Sequence, residues 1–388
     1  MPYFHIKIPY FLQKEINEVY IMHSLRSFAI STVAIFVPIF LLKNGYSFFE
    51  LALYFGAYSV FNIIFSFIAL LYSSKKGVRH AITLSMPIII LFFLALYKID
   101  KVQFFLGELP ALLLFSLLFT LGNCMYFMGF HIEFAKFSKK EKAAKQFGIV
   151  RAMSTMASVL GPFLGGVIVE FFSFNVLFSV VVVFLFLGVL PLFFSKELHQ
   201  PFTFSIKEIL KKTKTGIPFY AEGVRFMAAK YFWPVLLFML GTSLSSIGGI
   251  FTISSLLLAL FTIYIGKKTT EENKHNLLKI GALLNSLSLI VRSVLKTFSL
   301  IAVAQGFGGL SWALVQLPFM SMFYNNSKKK GIAETIFMRE VYLNLGRLTI
   351  VMLLALLLIF LKPETAFITI IILAAITMLF MTKVKDEN

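Results

Sequence analysis

The sequence predicts an all-α membrane protein: twelve transmembrane helices in two pseudo-symmetric six-helix halves, with both termini cytoplasmic. Three observations carry that prediction. Of 388 residues, 59% are hydrophobic and only 14% are charged, and long apolar runs recur along almost the whole chain. Runs of about 18 or more apolar residues read as membrane-spanning helices, and a soluble domain could not keep so much apolar surface from water. The basic residues alternate between successive connections. The two halves of the chain share a spaced residue pattern.

The first span is placed at 21–42. The residues before it are mixed polar and aromatic, with no basic start and no small-residue cleavage site, so it reads as an uncleaved spanning helix rather than a signal peptide. Spans 2 to 6 follow at 47–72, 80–98, 106–130, 147–170 and 173–194. Spans 7 and 8, at 217–240 and 245–266, are nearly continuous. The cut falls at GTSLSS (241–246), where Gly and Ser suit a tight turn. Spans 9 to 12 are placed at 277–296, 299–324, 333–361 and 364–382.

Net charge is +18, which in a soluble protein would suggest nucleic acid. Here the charges are topological. One set of connections carries 25 Lys and Arg, the alternate set only 5. The bias alternates without a break, as an even number of spans requires. By the positive-inside rule the basic connections and both termini are cytoplasmic. Anionic headgroups of the inner leaflet are the expected partner of those lysines, and nucleic acid is not. The single cysteine, Cys124, excludes an intrachain disulfide.

Shifting the chain by 196 residues places Phe36, Pro38, Leu41, Gly45 and Ser47 on Phe232, Pro234, Leu237, Gly241 and Ser243. Pro, Gly and Ser matches are informative in a chain this rich in Phe and Leu. Arg151 falls on Arg347 at the same offset. The organisation expected is an N-terminal bundle (1–194), a cytoplasmic linker (195–216) and a C-terminal bundle (217–388). In the linker, SIKEILKK (205–212) has the Ser-x-x-Glu spacing of a capping box at Ser205 and Glu208, so a short amphipathic helix is expected there.

With these features the chain resembles the major facilitator superfamily over nearly all its length. The loop after span 2, SSKKGVRH (73–80), is similar to the family's D-R-x-G-R-R signature, with Lys75, Gly77 and Arg79 matching. Ser74 stands where the family has aspartate, and the second copy, GKKTTEENK (266–274), keeps Gly266 but has Thr270 at the acidic position. In span 5, Gly148 and GPFLGG (161–166) match a signature frequent in the family's exporters, through Gly161, Pro162, Gly165 and Gly166, while Ala157 replaces a glycine. The physical reading of those small residues is close helix packing, with Pro bending the span. The resemblance implies a secondary transporter that rocks two halves about a site near the midplane. It also gives export a slight preference.

Six basic residues lie outside the connections: Arg26, Arg225, Lys230, Arg292, Arg339 and Arg347. A charge near mid-bilayer costs roughly 2.5–3.5 kcal/mol on insertion scales, so it is expected to face a partner or a water-filled cavity. Lys230, in FMAAKYFWPVLL (226–237), lies ten residues from the outer end of its span, about 15 Å at helical rise. Glu222 and Arg225 are one turn apart and able to pair. The eight residues from Glu222 to Lys230 leave about 80° between them on a regular helix. An internal ion-pair network is the plain reading of these three; a cavity meeting a negative group on the solute is the functional one. Arg292 is expected to snorkel at the outer end of span 9. Arg26 and Arg347 are placed nearer the cytoplasmic side. They are read, with Arg151, Lys75, Gly77 and Arg79, as gating or coupling candidates.

In MREVYLNLGR (338–347), Glu340, Asn344 and Arg347 form one stripe at i, i+4, i+7. Trp312 with Gln316, and Asn62, are further cavity candidates, with core packing as the plainer reading. Only two aspartates occur, Asp100 and Asp386, neither in a span, so Glu222 and Glu340 are the candidate coupling carboxylates.

No G-x-x-x-x-G-K-[S/T] run is present, the six histidines have no metal spacing, and two isolated aspartates cannot form a magnesium cluster. An enzyme, a cofactor and a metal are therefore not expected. The expectation is a monomeric transporter of a small anionic or zwitterionic solute in the cytoplasmic membrane. The alternative from another class is a non-transporting or lipid-handling, scramblase-like protein on the same fold. A polar stripe facing lipid would favour the alternative; polar groups enclosed between the halves would favour transport.

Overall fold

The computed structural model describes residues 14–137, 154–193, 202–211 and 216–384. Among them all regular structure is helical. Helix α1 comprises Lys14–Val33 and, after a break at 34–36, Val37–Lys43. Then follow α2 (Phe48–Lys76), α3 (Val78–Tyr97), α4 (Glu108–Phe137), α5 (Ser154–Phe171) and α6 (Phe174–Phe193). Helix α7 is Ile217–Met227, a π turn at Ala228–Phe232, and Trp233–Met239. The rest are α8 (Leu244–Lys268), α9 (Lys274–Val294), α10 (Phe298–Lys330), α11 (Ile332–Phe360) and α12 (Pro363–Met378). Ten helices among the described residues are long and apolar enough to cross a membrane. Two short helices, Ile99–Leu106 and Ile206–Lys211, lie between spans, the second with Ser205 accepting from the Glu208 N–H at 3.4 Å.

The 196-residue offset reappears as local geometry. Gly45 and Gly241 both take positive φ, 92° and 79°, which a side chain would strain. Ser47 and Ser243 both cap the next helix, accepting from the Glu50 and Ser246 N–H groups at 3.2 Å. Glu50 completes a capping box at α2. Ser47→Ala is expected to cost about 1 kcal/mol of unfolding free energy, measured by denaturant titration of the purified protein. The turn at 240–243 also realises the expected cut between spans 7 and 8.

The irregular turns match too. Pro38 follows the break in α1 and Pro234 follows the π turn in α7. Each proline lacks the N–H that would bond the carbonyl four residues back, at Ala34 and Lys230, and its ring crowds that carbonyl. The helix opens at that point in both copies. In α7 the opening takes the form of a π turn, which holds one residue more than an α turn. The regular-helix angle between Glu222 and Lys230 therefore does not hold.

Helices α2 and α11 pack along each other, as do α5 and α8. The α5 signature explains the second pair. A Cβ on Gly166 would stand 2.3 Å from the Leu244 carbonyl oxygen, and one on Gly248 2.2 Å from that of Pro162. Gly161 and Gly165 press instead on Ser31 and Thr32 of α1. One short run thus packs α5 against two neighbours. The helix turns irregularly at 159–160, just before Pro162.

Candidate functional site

The polar residues of α11 meet α2 midway through the bundle. Glu340, Asn344 and Arg347 are all buried, as their stripe predicts. Arg347 lies in the middle of the 29-residue helix, not near its basic end, which corrects the depth expected from sequence. Its Nη1 donates to Asn344 Oδ1 at 2.9 Å and, more weakly, to the Tyr58 hydroxyl of α2 at 3.4 Å. Its Nε is buried without an acceptor among the described residues. The guanidinium centre lies 4.3 Å from the Phe226 ring of α7, and Lys230 Nζ lies 5.0 Å from the same ring. Two cations therefore flank one aromatic side chain, an arrangement the ring's quadrupole favours. Lys230 is half-buried, and its ammonium is also 5.6 Å from the Tyr231 ring.

Tyr231 links this pair to an apolar chamber. It lines a small cavity with Ile30, Val33, Ala34, Val37 and Pro38 of α1, Tyr54 and Phe55 of α2, Phe93 and Phe119. Tyr58 packs on Phe119, ring centres 5.8 Å apart. The cavity, of about 10 Å³, thus has aromatic and aliphatic walls, and Lys230 neighbours it through Tyr231.

Both mouths between the halves are closed. At the end carrying the basic connections, His131 Nδ1 of α4 and the Tyr324 hydroxyl of α10 are hydrogen-bonded at 2.7 Å. The Phe134 and Tyr324 rings meet at 4.6 Å, and Phe67 meets Phe337 at 5.8 Å. At the opposite end Phe55 packs on Tyr231 at 4.8 Å and Phe48 on Phe367 at 5.8 Å. There the Ser245 N–H donates to Glu170 at 2.7 Å.

Glu222 does not pair with Arg225. Its two carboxylate oxygens accept from Arg339 Nη2 at 3.0 and 3.1 Å, and Arg339 Nη1 donates to Glu340 at 2.6 Å. One guanidinium of α11 thus holds both candidate coupling carboxylates. Arg225 instead donates from Nε to Asn285 of α9 at 2.9 Å and stacks on Trp312, 3.3 Å from the ring centre. The i, i+3 spacing permitted the pair, but a partner on a neighbouring helix wins because it meets the planar guanidinium face-on. Arg292 does not snorkel: it is 4% exposed, bonded through Nη1 to Gln305 and lying by Trp233.

The remaining candidates separate. Arg26 is buried against α4, donating to Asn123 at 2.7 Å and stacking 3.7 Å over Tyr126. Asn62 donates to the Tyr58 carbonyl at 2.8 Å and accepts from the Cys124 thiol at 3.2 Å, so it ties α2 to α4. Gln316 is half-buried one turn from Trp312. Lys75 is exposed, while Gly77 takes a φ of 100° between α2 and α3. Arg79 pairs with Glu133 of α4 at 3.2 Å. Ser74, at the aspartate position, bonds among the described residues only the Leu71 carbonyl of its own helix, at 2.9 Å. Gly148 and Arg151 lie outside the described residues.

Sequence reasoning gave no role to Arg339, Tyr58, Tyr324 or Asn285. For Arg339 a signal existed: a sixth interior cation and two interior carboxylates call for pairing. For the tyrosines none did, because fourteen occur in an aromatic-rich chain.

A model of the Major Facilitator Superfamily matches residues 19–214. No curated protein matches the chain. Among solved structures, the human organic anion transporter MFSD10 (TETRAN) is similar, with a TM-score of 0.68 at 12% identity, covering 95% of this chain and 99% of that one. The E. coli fucose:proton symporter FucP is similar with a TM-score of 0.69 at 10% identity, covering 97% and 100%. At such identities the likeness concerns the fold, and it extends across both halves. The family match over half the sequence and the fold match over nearly all of it agree: this chain is a multi-pass membrane protein of the major facilitator superfamily.

Proposed function

We propose that this secondary transporter moves a small organic anion or zwitterion by alternating access across the cytoplasmic membrane, with its basic end inside. The observation that carries the reading is Arg347. It sits midway through the bundle at the seam between halves, shares Phe226 with Lys230, and keeps a buried N–H that finds no acceptor among the described residues. An unpaired buried donor is costly, and a negative group arriving from the solute relieves that cost. The adjoining apolar void measures only about 10 Å³, so a solute's apolar body enters it only as the halves part. Glu222 and Glu340 are both bound to Arg339, whereas Arg347 meets the neutral oxygens of Asn344 and Tyr58. The similarity to an organic anion transporter agrees with this solute class. Export is the direction favoured by the Gly161–Gly166 run. The scramblase-like alternative calls for a polar stripe toward lipid, whereas α2 turns Phe49, Leu53, Val60, Ile64 and Ile68 outward.

The test uses Lys230→Cys in a Cys124→Ala background, labelled from each side by a small water-soluble thiol reagent. Labelling from either side in turn, blocked by a bound organic anion, is expected. Arg347→Gln should weaken that protection at least about tenfold, as loss of a charge-assisted hydrogen bond implies. Absence of labelling from both sides would refute a solvent-reachable site at this position. Cys124 itself is 5% exposed, so the unmodified chain should react little.

A further inference from the structure

The C-terminal bundle contains a second cluster of cations, between α7, α9 and α10 and away from the seam. Asn285, Ser288 and Arg292 are buried on one face of α9. Arg292 donates from Nη1 to Gln305 of α10, and its guanidinium centre lies 5.1 Å from the ring of Trp233 on α7. Arg292 Nε finds no acceptor among the described residues. Neither does the indole N–H of Trp233, a residue with 0% exposure.

Arg225 completes the group. Its Nε donates to Asn285 Oδ1 at 2.9 Å, and Asn285 Nδ2 donates to the Gly308 carbonyl at 2.8 Å. A Cβ on Gly308 would lie 3.7 Å from Arg292 Nη1, so the glycine that accepts from Asn285 also borders Arg292. The oxygens that the two arginines meet, on Asn285 and Gln305, are neutral amides. Glu222, one turn before Arg225 on α7, is held by Arg339. Two guanidiniums in a poor solvent, facing neutral acceptors and two orphaned N–H donors, form an unbalanced array of positive charge. A single anion would balance it.

Packing limits the size of that anion. A Cβ at Gly308 would come within 2.9 Å of Ser288 Oγ, so α9 and α10 are in close contact here. We propose that α7, α9 and α10 bind one compact inorganic monoanion of the chloride class, held by Arg292 and Arg225 with the Trp233 indole N–H as a further donor. This site is independent of the solute site at Arg347. It would tie three helices of one half together through the ion.

The experiment measures radiolabelled chloride binding to the purified full-length protein in nanodiscs, by equilibrium dialysis, with gluconate keeping ionic strength constant. Saturable binding of one chloride per chain is expected, together with a chloride-specific rise in melting temperature. Arg292→Gln should abolish both effects. Trp233→Phe keeps the ring but removes the donor, and should weaken binding about tenfold; it decides the matter if Arg292→Gln fails to fold. Arg347→Gln should leave chloride binding intact while losing protection by organic anions. No saturable binding, or binding that survives both Arg292→Gln and Trp233→Phe, would overturn the proposal. So would chloride binding lost through Arg347→Gln, since that places the ion in the solute site.

Discussion

Arg339→Met is expected to destabilise the protein by about 3–5 kcal/mol, the cost of breaking a buried ion cluster by removing one partner. Arg339 side-chain exposure is 8%, against 14% for Glu222 and 12% for Glu340. Its contacts join α7 to α11 with both carboxylates satisfied by one guanidinium. Without it, two carboxylates stay behind in a low-dielectric interior with no cation between them. The measurement is the unfolding free energy in lipid or detergent by denaturant titration. A triple variant, Glu222→Gln with Arg339→Met and Glu340→Gln, removes every charge of the cluster and should recover most of the loss, since neutral replacements of a buried pair are often tolerated. A loss under about 0.5 kcal/mol for Arg339→Met, the scale of an ordinary surface substitution, would refute a stabilising role for the cluster.

Gly248→Val is expected to open the bundle at the end opposite the basic connections. The Cβ position at Gly248 is 2.2 Å from the Pro162 carbonyl oxygen, and that at Gly166 is 2.3 Å from the Leu244 carbonyl oxygen. The obstacles are backbone atoms, so no rotamer change relieves them and the two helices must part. Overpacking of this kind costs about 1–3 kcal/mol. That strain is present only while α5 and α8 touch, so its relief shifts the closed-to-open equilibrium about 5- to 150-fold. Tyr231→Cys, in the Cys124→Ala background, reports the shift as faster thiol labelling from that end. Tyr324→Ala, which removes the contacts with His131 and Phe134, is the matched perturbation of the other mouth. It should speed labelling from the basic side. The same response to both variants would mean general loosening and would refute two separate gates.

The fold was legible in the sequence to an unusual depth. Ser47 and Ser243 cap their helices, and Gly45 and Gly241 take the same left-handed turn, because these features depend on the residue and its immediate neighbours. The prolines after Ala34 and Lys230 mark where two helices open for the same local reason. What the proline could not reveal is that α7 answers with a π turn while α1 breaks. That choice depends on the surrounding packing.

The candidate site was legible in its members and not in its pairings. Lys230, Arg225, Glu222, Glu340 and Arg347 stand out because charge inside an apolar run is rare. Helical spacing offered Glu222 to Arg225, yet Glu222 binds Arg339 and Arg225 binds Asn285. Spacing along one helix counts neighbours on that helix alone, whereas the partner with better geometry stands on another.

By itself, the sequence determined that this chain lives in a membrane, that its helices turn at Gly45 and Gly241, and that the halves repeat. Hydrophobicity, charge bias, proline and glycine act locally or through the bilayer, so they need no knowledge of the fold. Only the tertiary structure decided which cation meets which acceptor, where Arg347 lies, and how an apolar chamber comes to sit beside it. Those outcomes depend on distances between residues far apart in the chain, set by helix packing across the seam.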